Sequence, residues 1–160
     1  MKEHQNLFRD LQEDFRKMKK NLLVAQSGGP TAAINATLAG VIGQAMKEEQ
    51  IDQVYGACYG IQGVLEQKFV NLTEKVDTEE KLEKLKRTPA AALGSCRFKL
   101  NDIKEDDSQY QEIVDILHKM NIGYFVYIGG NDSMDTVAKL SAYCKEKGVE
   151  DIKQIKKMKR

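Results

Sequence analysis

The sequence predicts an α/β domain built on a parallel sheet, and two observations carry that reading. Apolar runs of strand length alternate with segments whose apolar residues recur at helical spacing. One device also occurs twice, an apolar strand followed by a Gly-Gly turn and a helix: first LLVAQSGGPTAAINATLAGV, then YFVYIGGNDSMDTVAKL. In open parallel sheets ligands collect beyond the carboxyl ends of the strands, so these two turns are where binding is expected.

The elements follow in order. Residues 1–20 are polar, with Leu7, Leu11, Phe15 and Met18 at helical spacing. They read either as an amphipathic arm or as an extension without a fold of its own, since Met18-Lys19-Lys20 makes a natural start before the first strand. Asn21 to Ala25 is a short buried strand that stops at Ser27-Gly28-Gly29-Pro30-Thr31. Ile34, Leu38, Val41, Ile42 and Ala45 then form one helical stripe. A second strand is expected near Val54 to Cys58, and glycines 56, 60 and 63 break up the stretch after it. Asp77 with Glu80 caps a charged helix ending near Arg87. Thr88-Pro89 stops that helix, because a residue before proline is pushed out of the helical region. Tyr110, Ile113, Val114 and Leu117 mark another helix, Ile122 to Ile128 is the strongest strand, and Met134, Val137, Leu140 and Cys144 mark the helix after Gly129-Gly130. The organisation expected is an extension over 1–20, an α/β domain over 21–148, and a basic, solvated C-terminal tail over 149–160.

Bulk composition excludes several classes. The 160 residues carry a formal charge of +1, with 41% hydrophobic and 31% charged residues. That is ordinary for a globular chain and gives no field to attract nucleic acid or an anionic membrane. Cys58, Cys96 and Cys144 are odd in number and show no metal-ligand spacing. No apolar run approaches the roughly 18 residues of a membrane span, and the expected location is cytoplasmic. His4 and His118 lack partners at catalytic spacing, and the tyrosines read as core or surface filler.

A Gly-Gly turn opening a helix suits a phosphate. Unpaired N–H groups point outward there, the helix dipole adds positive potential, and glycine lets the backbone approach the anion. Taken singly, either turn is also what a tight strand-to-helix connection uses for steric reasons. Neither is a Walker loop or a GxGxxG turn. A third segment, Thr88 to Phe98, places Arg97 on a loop after the Gly94-Ser95 turn. Its planar fork matches phosphate oxygens, although such an arginine alone is commonly a surface ion-pair partner. Asp132 reads either as a ligand-facing carboxylate or as a helix N-cap, with Asp135 in the first turn.

Jointly, SGGPTAAINA at 27–36, LGSCRF at 93–98 and IGGNDS at 128–133 resemble the phosphofructokinase family, in its order and with comparable spacing. The resemblance runs from about residue 21 to about 148. It implies a three-layer, Rossmann-like parallel sheet, the N-terminal portion of that fold, with the C-terminal lobe absent. It implies that Gly28, Gly29, Arg97, Phe98, Gly129, Gly130, Asn131, Asp132 and Ser133 line the phosphoryl-donor site. Asn131 and Asp132 are then the candidate Mg2+ ligands, and Asp132 and Arg97 the candidate catalytic residues. ATP-using members carry glycine at the position matching Asp132. Members using diphosphate carry aspartate, whose carboxylate fills the space of the nucleotide's α-phosphate. Asn131 departs from the commoner aspartate that holds the metal; its amide oxygen can ligate Mg2+ but brings no charge. The Gly-Gly-Pro-Thr turn is likewise similar to diphosphate users.

The resemblance therefore implies glycolytic phosphoryl transfer from diphosphate to fructose 6-phosphate, by an enzyme that is a homo-oligomer at full length. The alternatives are an ATP-dependent 6-phosphofructokinase and a non-catalytic phosphate-binding fragment or interaction module. The family's Gly-Thr-Ile-Asp-Asn-Asp-like segment, which supplies its base, does not occur in this sequence. A general base contributes typically ~10²–10⁴ in rate, so the expectation is a truncated chain that does not turn over alone.

Overall fold

The computed structural model describes residues 2–27, 32–88, 92–94 and 100–158; the side chains of 12–18, 32, 33, 131, 132 and 156–158 lie outside that description. Five strands form one sheet in the order β3-β2-β1-β4-β5. They are β1 (Lys20–Gln26), β2 (Ile51–Ala57), β3 (Phe69–Asn71), β4 (Ile122–Gly129) and β5 (Lys153–Met158). Every pairing is parallel except β2 with β3.

Both faces of the central strands are covered, which is why those strands read as continuous apolar runs rather than alternating ones. Leu22 and Val24 pack with Ile34, Leu38, Ile42 and Ala45 of α2 (Ala32–Lys47) and with Leu82 of α5 (Glu79–Arg87). The residues between them, Leu23 and Ala25, pack on the opposite face. There they meet Ile113 and Leu117 of α6 (Ser108–Lys119), Val137, Leu140 and Tyr143 of α7 (Asn131–Glu146), and Ile61 of α3 (Gly60–Leu65). Burying a side chain of this kind stabilises by roughly 1.5–3 kcal/mol. The three layers are therefore held by these apolar faces rather than by exposed pairs such as Asp77–Lys81.

Several expectations need correction. The 149–160 segment is not a solvated tail: β5 adds to the sheet in parallel, from Tyr124↔Lys153 to Gly129↔Met158. Residues 2–18 form the helix α1 (Lys2–Met18) rather than an extension without structure, but its side chains from 2 to 11 are exposed, Leu7, Phe8 and Leu11 among them. Gly60 and Gly63 do not break the chain; they lie within α3. The cap of α5 is Thr78, whose hydroxyl accepts from Lys81 N at 3.2 Å, while Asp77 pairs with Lys81 Nζ at 2.8 Å. Short β3 and α4 (Leu72–Lys75) were not anticipated; Asn71 ends the strand and caps the helix through Glu74 N.

His118 has a partner after all. Its Nε2 lies 3.0 Å from Asp151 Oδ2, and both side chains are about half exposed. Burial raises the Asp151 carboxyl, but the hydrogen bond from His118 and the nearby backbone donor outweigh it and leave the group below its ordinary value. Tyr110, Tyr127 and Tyr143 are core residues.

The cysteines give a direct check of the packing. Cys144 is buried and its thiol is pushed up by that burial, whereas Cys58 is partly exposed. Iodoacetamide at pH 8, read by peptide mass spectrometry, is expected to alkylate Cys58 first and Cys144 only after denaturant is added, because the exposed thiolate is the reactive species.

Candidate functional site

The topology brings together the two strands that precede the Gly-Gly pairs. β1 and β4 are adjacent and parallel, paired from Asn21↔Ile122 to Gln26↔Ile128. Immediately beyond β1, Ser27 N donates to Ile128 O at 2.8 Å. The two strands that run into the Gly-Gly pairs thus end side by side at the same end of the sheet. Gly28 and Gly29 lie outside the described residues, and the chain is next described at Ala32, where α2 begins.

At the second turn, Gly130 is the N-cap of α7, with φ −95° and ψ −153°. Of the two readings of Asp132, the helix cap is ruled out: Asn131, Asp132 and Ser133 are the first three residues of the helix. Glycine has no side chain with which to satisfy the amides ahead of it, so the donors of this first turn keep their capacity for an anion. A carboxylate at Asp132 also sits favourably in the helix dipole, typically by 0.3–1 kcal/mol. Asp135 is engaged elsewhere, 3.0 Å from Lys139 Nζ one turn on.

Ser133 is the unusual residue of the group. It is 2% exposed, yet its Oγ has no hydrogen-bond partner among the described residues. An unsatisfied buried hydroxyl costs about 1–3 kcal/mol. That cost is recovered when a bound group supplies the partner, and such orphaned atoms gather at functional sites. Gly129 explains how the turn closes around it: an added Cβ there would overlap Ser133 Oγ and come within 2.6 Å of Ser27 O. The sequence placed Ser133 in the set without this reason.

The third segment is described only at its hinge. Thr88 ends α5 in extended conformation, as a residue before proline should. Ala92, Leu93 and Gly94 form a turn, with Gly94 at φ +74° against the Tyr59 ring. Arg97 and Phe98 lie outside the described residues. Two residues that the sequence reading passed over hold this turn: Gln26 and Asn35, both fully buried. The signal was present, since each is an amide inside an otherwise apolar run.

Among the described residues, no group of three or more His, Cys, Asp or Glu side chains could hold a metal ion. An apolar groove of about 480 Å³ lies beside α2, lined by Leu22, Val41, Ala45, Ile51, Val126 and Ile155. It runs toward the amino ends of β1 and β2, away from both Gly-Gly turns, and is not part of this site.

Comparison with known proteins covers the stretch that holds all three motifs. The family model described as Phosphofructokinase matches residues 21–156, extending through most of β5 rather than stopping at 148. A pyrophosphate–fructose 6-phosphate 1-phosphotransferase of Rhodospirillum rubrum is 44% identical over 119 residues, 74% of this chain and 28% of that protein. The protein of the same name from Xanthomonas campestris pv. campestris is 41% identical over 128 residues, 80% of this chain and 30% of that one. The crystal structure of a pyrophosphate-dependent phosphofructokinase from Nitrosospira multiformis superposes with a TM-score of 0.76 at 37% identity, covering 86% of this chain and 33% of that one. The chain spans under a third of the length of these curated relatives.

Proposed function

This chain belongs to the phosphofructokinase family, and from that premise we propose that it forms the donor-binding part of a phosphotransferase that moves a phosphoryl group from diphosphate to fructose 6-phosphate. One observation carries the reading: the strands that precede the two Gly-Gly pairs are adjacent and parallel, and beside their ends lies a buried Ser133 hydroxyl with no partner among the described residues. Such an arrangement suits a small, densely charged anion that accepts many hydrogen bonds. Diphosphate is that kind of ligand, and relatives at 44% and 41% identity carry its name.

In this proposal the amides at the head of α7 and in the Gly28-Gly29 turn cradle the phosphates. Arg97 forks onto their oxygens and stabilises charge on the moving group, Phe98 flanks them, and the Ser133 hydroxyl supplies one more donor. Asp132 excludes nucleotides by charge. Mg2+ fits the donor set, because it favours oxygen ligands and is commonly held by one or two carboxylates with the rest supplied by substrate phosphates. Asp132 and the Asn131 amide oxygen are the residues that would hold it, and the ion would neutralise charge on the donor. A cytoplasmic place in glycolysis and a homo-oligomeric assembly belong to the same proposal. Among the described residues no helix is long and apolar enough to cross a membrane.

Calorimetry tests it. Titration of the chain with diphosphate in Mg2+ buffer is expected to give saturable one-site heat that equimolar ATP leaves unchanged. Absence of saturable heat removes the proposal, and equal displacement by ATP replaces it with the ATP-dependent alternative.

A further inference from the structure

Thr88, Ala92 and Leu93, ahead of Arg97 in the chain, are fastened to the two residues that flank the first Gly-Gly pair by buried amide side chains. Asn35, on α2 just past that turn, donates from Nδ2 to Thr88 O at 2.6 Å and accepts from Ala92 N at Oδ1 at 2.9 Å. Gln26, the last residue of β1, accepts from Leu93 N at Oε1 at 2.9 Å. The two are joined to each other: Gln26 Nε2 donates to Asn35 Oδ1 at 3.2 Å and to Ile34 O at 3.3 Å. The far side of the turn is held too. Tyr59 N, just past β2, donates to Leu93 O at 2.8 Å. The Leu93 side chain fills the space left by Gly56, where a Cβ would lie 2.9 Å from it.

These bonds need a reason. Two fully buried primary amides are costly unless satisfied, and apolar residues at both positions would pack the same layers without that cost. What the amides do, and apolar side chains cannot, is fix the backbone of a loop relative to a strand and a helix. The fixed points are Thr88, Ala92 and Leu93 on the loop, and positions 26 and 35 on either side of residues 28–31. Arg97 follows Leu93 by four residues. The distance between an arginine fork and a phosphate cradle decides whether both reach one ligand, and displacements of about 1 Å at such places cost ~10²-fold.

We infer that Gln26 and Asn35 are positioning residues, a buried amide clamp that sets the Arg97 loop against the Gly28-Gly29 turn so that both engage one diphosphate. The inference rests on the donor reading above. Neither side chain touches the ligand; the pair acts through the loop.

The test uses the full chain and two readouts. Amide hydrogen exchange of the unaltered chain is expected to show Ala92 and Leu93 protected; exchange at the rate of an unstructured peptide overturns the clamp with no mutation made. Asn35→Ala is expected to speed exchange at Ala92 and Leu93 at least about tenfold and to weaken diphosphate binding about tenfold by calorimetry. Asn35→Asp keeps the acceptor for Ala92, and is expected to recover protection there. Ile42→Val, a packing change in the same helix, is expected to lower thermal stability while leaving exchange at 92–93 and diphosphate affinity as they were. Faster loop exchange with unchanged affinity in Asn35→Ala overturns the positioning role. If the unaltered chain binds no diphosphate, the donor reading falls and the positioning role with it, while the exchange data still report separately on the clamp.

Discussion

Asp132→Gly is expected to admit ATP to a site that excludes it in the unaltered chain, with a gain in ATP affinity of up to about a thousandfold. Asp132 is the second residue of α7, two positions after the Gly130 cap. The proposed site requires a nucleotide phosphate seated on those amides to share the first turn of the helix with this acidic residue. Two unit negative charges about 4 Å apart at an effective dielectric near 20 repel by about 4 kcal/mol, and each 1.4 kcal/mol is tenfold. Diphosphate has no third phosphate to place there and escapes the repulsion. Calorimetric competition of ATP against diphosphate measures the effect, and Asp132→Asn separates charge from bulk. If asparagine and glycine both admit ATP, charge does the excluding; if only glycine does, the carboxylate acts by filling space. ATP rejected equally by both variants would remove Asp132 from donor selection. Thermal stability should be read alongside, because an acidic residue in the first turn of a helix stabilises it by about 0.3–1 kcal/mol and glycine lowers helix propensity by about 1 kcal/mol.

Much of this was legible in the order of residues, and the exceptions have physical causes. β1 and β4 were readable because a strand buried on both faces is apolar throughout, and α2, α6 and α7 because each shows one apolar stripe. β5 was not, since half of its residues are lysine and its two apolar residues, Ile155 and Met158, set no strand period; what makes it a strand is pairing with β4, a long-range interaction with no local trace. β3 is three residues long, too short for any period. For α5 the expected cap was Asp77, but Thr78 takes that place because its hydroxyl reaches Lys81 N while Asp77 reaches the lysine's side chain. The motif residues were legible as a set. The arrangement that gives them meaning was not: adjacency of the two turns depends on β1 and β4 being neighbours although about 100 residues separate them, and the Gln26–Asn35 clamp appears only once α2 folds back on β1.

The second turn yields the other large effect, a contrast between neighbouring glycines. At Gly129 an added Cβ would overlap Ser133 Oγ and lie 2.6 Å from the Ser27 carbonyl. The serine can rotate, but the carbonyl belongs to the backbone where β1 meets the first turn and cannot withdraw without breaking the bond from Ser27 N to Ile128 O. Overpacking of this kind typically costs 1–3 kcal/mol, so Gly129→Ala is expected to lower the denaturation midpoint in urea clearly and to abolish diphosphate binding. At Gly130 no atom among the described residues lies within 4 Å of an added Cβ, and φ is −95°, a value any residue adopts. Gly130→Ala should therefore fold with an unchanged midpoint. If the open space above Gly130 is where the phosphate rests, the added methyl occupies it, and diphosphate affinity should fall at least about tenfold, since a displaced ligand loses hydrogen bonds to the α7 amides worth roughly 1.5–3 kcal/mol each. A Gly130→Ala chain that is as stable as the original and binds diphosphate as tightly would place the anion elsewhere and take the cradle at the head of α7 out of the site.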